Sequence, residues 1–265
     1  MPTFDDLDAI TLEALRASGA TRWNKPNGAI GAFTAEMDYG IAPAVTAALH
    51  AFVDTGLFGY LPPSLRTDLQ QAQADFLARR LNWKIPAEQI HEVPDVLKAL
   101  EMAMEHFANG AKRIIVPTPA YMPFVFLPQM FGYEVVEVPM LLDETGRYCY
   151  DLAGIEQAFN DGAGLLVHCH PHNPTGRLFT RAELEALAEV VDRCGGRVFS
   201  DEIWAPLVPA GRTHIPYAAV SEVTAGHTVT AMSASKAWNL PGLKCAQLIT
   251  SNEADEAVWK QVGLL

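Results

Sequence analysis

Three short segments of this 265-residue chain bring together residue types that can do chemistry jointly. In Met232-Ser-Ala-Ser-Lys-Ala-Trp-Asn-Leu-Pro-Gly-Leu-Lys244 a lysine stands between two serines and a later cation. Hydroxyls at Ser233 and Ser235 can donate to phosphate oxygens and Lys244 can neutralise them, which leaves the Lys236 amine to condense with an aldehyde. The competing reading of this segment alone is a surface loop with a solvated lysine. The second segment, His170-Pro-His-Asn-Pro-Thr-Gly176, carries two prolines that stiffen a turn and aim Asn173, an amide suited to hydrogen-bond a phenolate oxygen. His168, His170 and His172 alternate there as metal ligands on a strand would, but Pro171 and Pro174 break the strand and no carboxylate or thiolate cluster completes a shell. No metal is therefore assigned. In the third, Ser200-Asp-Glu-Ile-Trp204, a buried Asp201 needs a partner, and a protonated ring nitrogen is one candidate. An N-cap is the other role open to it.

The elements around these segments explain their placement. Leu65, Leu69, Ala72, Phe76, Leu77 and Leu81 recur at helical spacing and predict a helix from Ser64 to Leu81. A second helix is expected from Asp95 to His106. Strands are expected at Arg113–Pro117, Tyr133–Val138, Leu165–Cys169, Arg197–Ser200, Thr228–Met232 and Gln247–Thr250. Thr180-Arg-Ala-Glu183 is a capping box that opens a helix through Arg193, which Gly195-Gly196 closes. Strands alternating with helices predict an α/β fold whose mainly parallel sheet is sandwiched by helices, with ligands bound beyond the strands' carboxyl ends. All three segments directly follow strands. Residues 1–43, with Pro26, Gly28, Gly31, Gly40 and Pro43, read as a loop-rich N-terminal arm, the first confident helix beginning near Ala44.

The bulk numbers exclude some function classes. With 31 acidic against 19 basic residues, the net charge of −12 repels nucleic acid and anionic membrane surfaces. No apolar run is long enough to span a bilayer. Cys149, Cys169, Cys194 and Cys245 lack paired spacing, and Met1–Ile10 lacks the pattern of a secretory leader, so a reduced cytoplasmic protein is expected.

Taken in order, Asn-Pro-x-Gly, Ser-Asp-Glu and Ser-x-Ser-Lys resemble the aspartate-aminotransferase-like, fold-type I pyridoxal-phosphate enzymes. Ala35-Glu-Met-Asp-Tyr39, Thr55-Gly-Leu-Phe-Gly-Tyr60, Pro117-Thr-Pro-Ala-Tyr121 and the lysine loop are closer to the cystathionine β-lyase branch, often called MalY/PatB-like. The resemblance covers nearly the whole chain. It implies that Lys236 holds pyridoxal 5'-phosphate covalently, that Asp201 pairs with its pyridinium nitrogen, and that Asn173 bonds its phenolate oxygen. Tyr121 matches the ring-stacking aromatic, although a core role is equally open to it. Ser233 and Lys244 match the phosphate ligands; most relatives outside the branch have arginine at the latter place. Val96 and its neighbouring amides match a helix N-terminus that meets the phosphate, while Asp95, being acidic, should turn away and cap that helix. Tyr60 matches a tyrosine that reaches the neighbouring subunit's cofactor, which implies a homodimer. His170, Trp204 and Pro206 depart from the branch on the substrate side.

The implied activity is β-elimination from cystathionine or a related cysteine S-conjugate to give pyruvate, ammonia and a thiol. An aminotransferase with the same site, and a regulatory or partner-binding protein on the same fold, are the alternatives. Residues 44–265 are expected to form the cofactor-binding large domain. The family's C-terminal small domain and its substrate-carboxylate arginine have no counterpart in the sequence, and Arg16, Arg22 and Arg212 are in no matching context.

Overall fold

A computed structural model of the chain describes residues 7–24 and 29–262; Pro26, Gly28 and most of the acidic N-terminal stretch lie outside the described residues. Two units emerge, Met1–Leu61 with Ala234–Lys244, and Pro62–Ser233 with Cys245–Leu265.

In the first unit the arm holds a short helix, α1 (Leu12–Ala17), whose first turn is capped by Thr11 Oγ1 accepting from the Ala14 amide at 3.2 Å. At six residues it is too short to show a period in the sequence. The chain after it is bound to itself. Arg22 Nε donates to the Gly31 carbonyl at 2.7 Å and Trp23 Nε1 to Asp38 Oδ1 at 2.8 Å. Only glycine fits at position 31, since a Cβ there would stand 1.9 Å from the Arg22 carbonyl oxygen. Helix α2 (Pro43–Thr55) starts at a proline and ends on Gly56 at φ 67°, a left-handed cap that suits glycine. The lysine-bearing segment belongs to this unit. A single helical turn, Ala234–Ala237, carries Ser235 and Lys236 and gives way to Asn239 at φ 58°. Asn239 accepts from the Met37 amide at 3.0 Å and donates to the carbonyls of Met37 at 3.1 Å and Gly40 at 3.0 Å, so arm and lysine segment are joined through one side chain.

The second unit opens with α3 (Pro63–Leu81), the helix expected from its spacing. Strand β1 (Ile90–Val93) follows, then α4 (Val96–His106). Next come β2 (Arg113–Thr118), α5 (Pro123–Met130), β3 (Glu134–Pro139) and the small β4–β5 pair (Leu141–Leu142, Tyr148–Cys149). Helix α6 (Leu152–Asn160) leads to β6 (Leu165–Cys169), and α7 (Arg181–Arg193), opened by the full Thr180/Glu183 capping box, leads to β7 (Arg197–Asp201). Helix α8 (Glu222–His227) runs into β8 (Thr228–Met232), followed by β9 (Ala246–Thr250) and α9 (Glu253–Val262).

The sheet has the order β1-β9-β8-β7-β6-β2-β3. Pairs β2/β3, β2/β6, β6/β7 and β7/β8 are parallel, while β9 runs antiparallel to both β8 and β1. Strand β1 therefore points the same way as β8, and every strand except β9 ends at one edge. Strands β6, β8 and β9 are buried along their whole length, as expected of a sheet covered on both faces. Alternation divides the side chains. Val167, Cys169, Phe199 and Ala231 pack with α4, whereas Leu166 and Val198 pack with residues of α6 and α7. Among the described residues no helix is long and apolar enough to cross a membrane.

Candidate active site

Register brings the sequence-selected residues to the common edge. Cys169 is paired with Asp201, and Asp201 with Ala231, so β6, β7 and β8 end in one row. The strand order reverses between β2 and β6, where open α/β sheets form a crevice. Tyr121 follows β2 and Asn173 follows β6, so they flank it. Ser233 follows β8, and Cys245 precedes β9 at the same edge.

Asp201 shares a sheet face with Phe199, the face covered by α4. It is 4% exposed, and its Oδ1 accepts from the Ile203 amide at 3.1 Å, which fixes the carboxylate's direction. Asp95 does what its charge requires: it caps α4, with Oδ1 accepting from the Lys98 amide at 2.9 Å and its carbonyl from Ala99. The amides of Val96 and Leu97, at the start of the helix, have no intrahelical acceptor, so this end attracts an anion. Ser233 uses its single hydroxyl donor on the Cys245 carbonyl, at 2.7 Å. That bond clamps together the two points between which the lysine segment is strung, a role the sequence did not suggest.

Asn173 lines a cavity of about 680 Å³, shared with Arg147, Thr175, Trp204, Leu207 and Arg212. Its side-chain amide makes no hydrogen bond among the described residues. Tyr121 is 40% exposed and meets Phe124 edge-on at 5.3 Å. Lys236, Ser235, Lys244 and Tyr60 lie in the first unit. There Lys244 adopts a left-handed backbone at φ 51° and Tyr60 is fully exposed.

Among the described residues no group of three or more His, Cys, Asp or Glu is placed to hold a metal ion, the three alternating histidines included. These histidines are packed as rings. His168 Nδ1 meets the Tyr150 hydroxyl at 2.8 Å, and the His170 ring lies 4.5 Å from that of His214. Burial holds His168 down to about 3 and His172 to about 4, and drives His170 well below its ordinary value. At neutral pH these imidazoles add no charge to the edge. Burial, and then the Asp201 carboxylate, push the Cys169 thiol well up, so it stays protonated and is no nucleophile.

Beneath Asp201 lies a polar knot that the sequence did not reveal. Glu202, fully buried, receives Ser200 Oγ at 2.8 Å, the Tyr217 amide at 2.9 Å and His214 Nε2 at 2.6 Å. The alternation of Ser200 and Glu202 was visible, but nothing in the sequence marked His214 as the partner.

The residues at this edge offer a buried carboxylate, an amide without a hydrogen bond, a half-exposed aromatic ring and a helix N-terminus, a set suited to a flat, phosphorylated heteroaromatic ring. Comparison with known proteins agrees. The model of a family described as aminotransferase class I and II matches residues 32–263. A cystathionine beta-lyase of Corynebacterium glutamicum is 39% identical over 253 residues, covering 95% of this chain and 66% of that protein. Cystathionine beta-lyase PatB of Bacillus subtilis is 32% identical over 245 residues, covering 90% and 62%. A crystal structure described as a PLP-dependent beta-cystathionase of Corynebacterium diphtheriae superposes with a TM-score of 0.87 at 36% identity, over 96% of this chain and 65% of that one. The chain thus spans just under two thirds of the length of these relatives.

Proposed function

Because the chain belongs to the class I and II aminotransferase family, matched over residues 32–263, we propose that it is the cofactor-binding part of a pyridoxal-phosphate-dependent C–S lyase acting on cystathionine or a related cysteine S-conjugate. The observation that carries this reading is the collection at one sheet edge of buried Asp201, the unbonded amide of Asn173 and the N-terminus of α4. The cystathionine beta-lyase relatives add the substrate class.

When bound, pyridoxal phosphate supplies an electron-poor ring able to accept the charge left on a substrate's α-carbon. Asp201 holds the ring nitrogen in its charged form, because a buried carboxylate and a cation favour each other's ionised state. Asn173 would donate to the ring oxygen and Tyr121 would stack on the ring. The amides after Asp95, with Ser235 and Lys244, would take the phosphate, Lys244 as a point charge, and Ser233 would join them only by releasing the Cys245 carbonyl. Lys236 would hold the aldehyde carbon, and its Nζ would be the base for the substrate's α-proton. The activity so supported would release a thiol from the β-carbon and, with one water consumed, give pyruvate and ammonia. The reading includes a homodimer in which the exposed Tyr60 reaches the partner's cofactor, and a cytoplasmic location.

Absorbance of the chain mixed with pyridoxal phosphate, before and after borohydride, tests this against Lys236→Ala. A visible band that reduction fixes on Lys236, followed by pyruvate release from L-cystathionine, is expected. A fixed band with amino-group transfer to a 2-oxo acid and no pyruvate makes the chain an aminotransferase, and absence of the band overturns the assignment.

A further inference from the structure

A second, smaller cavity of about 160 Å³ lies off the sheet edge, lined by Arg80 from the last turn of α3 and by Arg212, Thr213 and His214 beyond β7, over Phe76 and Leu81. No carboxylate lines it. Among the described residues nine of the twelve arginines stand within ion-pair distance of an acid. Two of the remaining three, Arg80 and Arg212, share this cavity. Two exposed guanidiniums that border one hollow and have no acid within ion-pair distance offer an anion two positive charges at once. His214 borders the same hollow. It is 3% exposed and its Nε2 donates to Glu202, so its buried, partnerless Nδ1 is an acceptor, able to receive an O–H such as that of a hydrogen phosphate.

We propose that this cavity is an oxyanion site, in which phosphate, sulfate or a carboxylate binds between the guanidiniums of Arg80 and Arg212 with Thr213 and His214 beside it. Guanidinium groups suit such ligands because their parallel N–H pairs match two oxygens of one anion. None of the residues lining it is among those that the proposed function gives to the cofactor phosphate. It does not depend on the cofactor reading. Arg212 also borders the larger cavity that reaches Asn173, so the anion has two sources: a free inorganic oxyanion, or a carboxylate at the far end of a molecule seated in that cavity.

The test is isothermal titration of the chain, saturated beforehand with pyridoxal phosphate, using inorganic phosphate and succinate in separate runs at constant ionic strength. Saturable binding is expected, weakened about tenfold or more by Arg80→Gln and by Arg212→Gln and partly restored by Arg212→Lys. Both arginines are exposed, so these variants fold, and their unchanged far-UV spectra and melting curves verify it. Preference for phosphate identifies an inorganic ligand; preference for succinate identifies a carboxylate. A shift of the His214 ring resonances on titration, absent in Arg212→Gln, places the anion in this cavity. Heat that never saturates with either anion, or binding that survives in both glutamine variants, overturns the proposal.

Discussion

Asn239 grips Met37 on both sides of the latter's backbone: its Oδ1 accepts from the Met37 amide at 3.0 Å and its Nδ2 donates to the Met37 carbonyl at 3.1 Å, across 202 positions of sequence. Three residues before Asn239 stands Lys236, so the arm and the lysine segment order each other. Asn239 adopts φ 58°, which asparagine tolerates better than most residues.

Asn239→Ala removes both bonds, as well as the one to Gly40, and leaves a Cβ-bearing residue without the side-chain bonds that held this backbone. The expected loss is about 1–3 kcal/mol, felt in the first unit. Hydrogen exchange should show the Met37 amide opening sooner in the variant, while amides of β6 and β7 keep their protection. Uniform loss across both units would disprove this local role.

Stability should depend on pH through the buried imidazoles. Burial holds His168 down to about 3, and His172 and His227 to about 4. The same groups titrate near 6.5 when unfolded, so between there and about 4 the unfolded chain binds more protons than the folded one. Their contribution is complete above about 6.5 and declines as pH falls, by about 1–2 kcal/mol for each histidine at about pH 5. Urea midpoints measured at about pH 8, 7 and 5 should be level between the first two and lower at the third. His227→Gln should flatten part of that slope; a slope unchanged in this variant would assign it elsewhere.

Asp201→Asn keeps the side chain's size and can still accept from the Ile203 amide, but not as an anion. Under the proposed function the variant should retain the borohydride-fixable link at Lys236 while turnover falls by about 100-fold or more, since the ring cation loses its fixed partner. Turnover within twofold of the parent would remove Asp201 from that role.

Much of this arrangement was legible because strong local signals wrote it. The Thr180/Glu183 box, the spacing from Leu65 to Leu81 and the apolar strands before Asn173, Asp201 and Ser233 all agreed with the tertiary structure. Asp95 was placed correctly from electrostatics alone, since a carboxylate at a helix start caps it. Elements with mixed signals stayed hidden. Helix α5 contains Pro128, and β1 has only the four residues Ile-His-Glu-Val. The clamp from Ser233 to Cys245, the Asn239–Met37 pairing and the arginine-lined cavities join residues distant along the chain, and no local pattern encodes such meetings.

The Glu202–His214 pair provides the sharpest test of packing under the site. His214 Nε2 and Glu202 Oε2 are 2.6 Å apart with both side chains almost wholly excluded from water, and Glu202 Oε1 serves Ser200 and the Tyr217 amide as well. Removing His214 leaves the carboxylate buried without its ring partner, and removing the carboxylate strands three donors. Either truncation, Glu202→Ala or His214→Ala, should cost about 3–5 kcal/mol in urea unfolding. Glu202→Gln should cost less, because its amide oxygen still accepts from two of the donors and the shape is kept. The double variant should cost less than the sum of the two truncations, since each single change already destroys the pair. Strictly additive losses would mean that the two groups do not stabilise one another. The knot would then be serving only to fill space beneath Asp201.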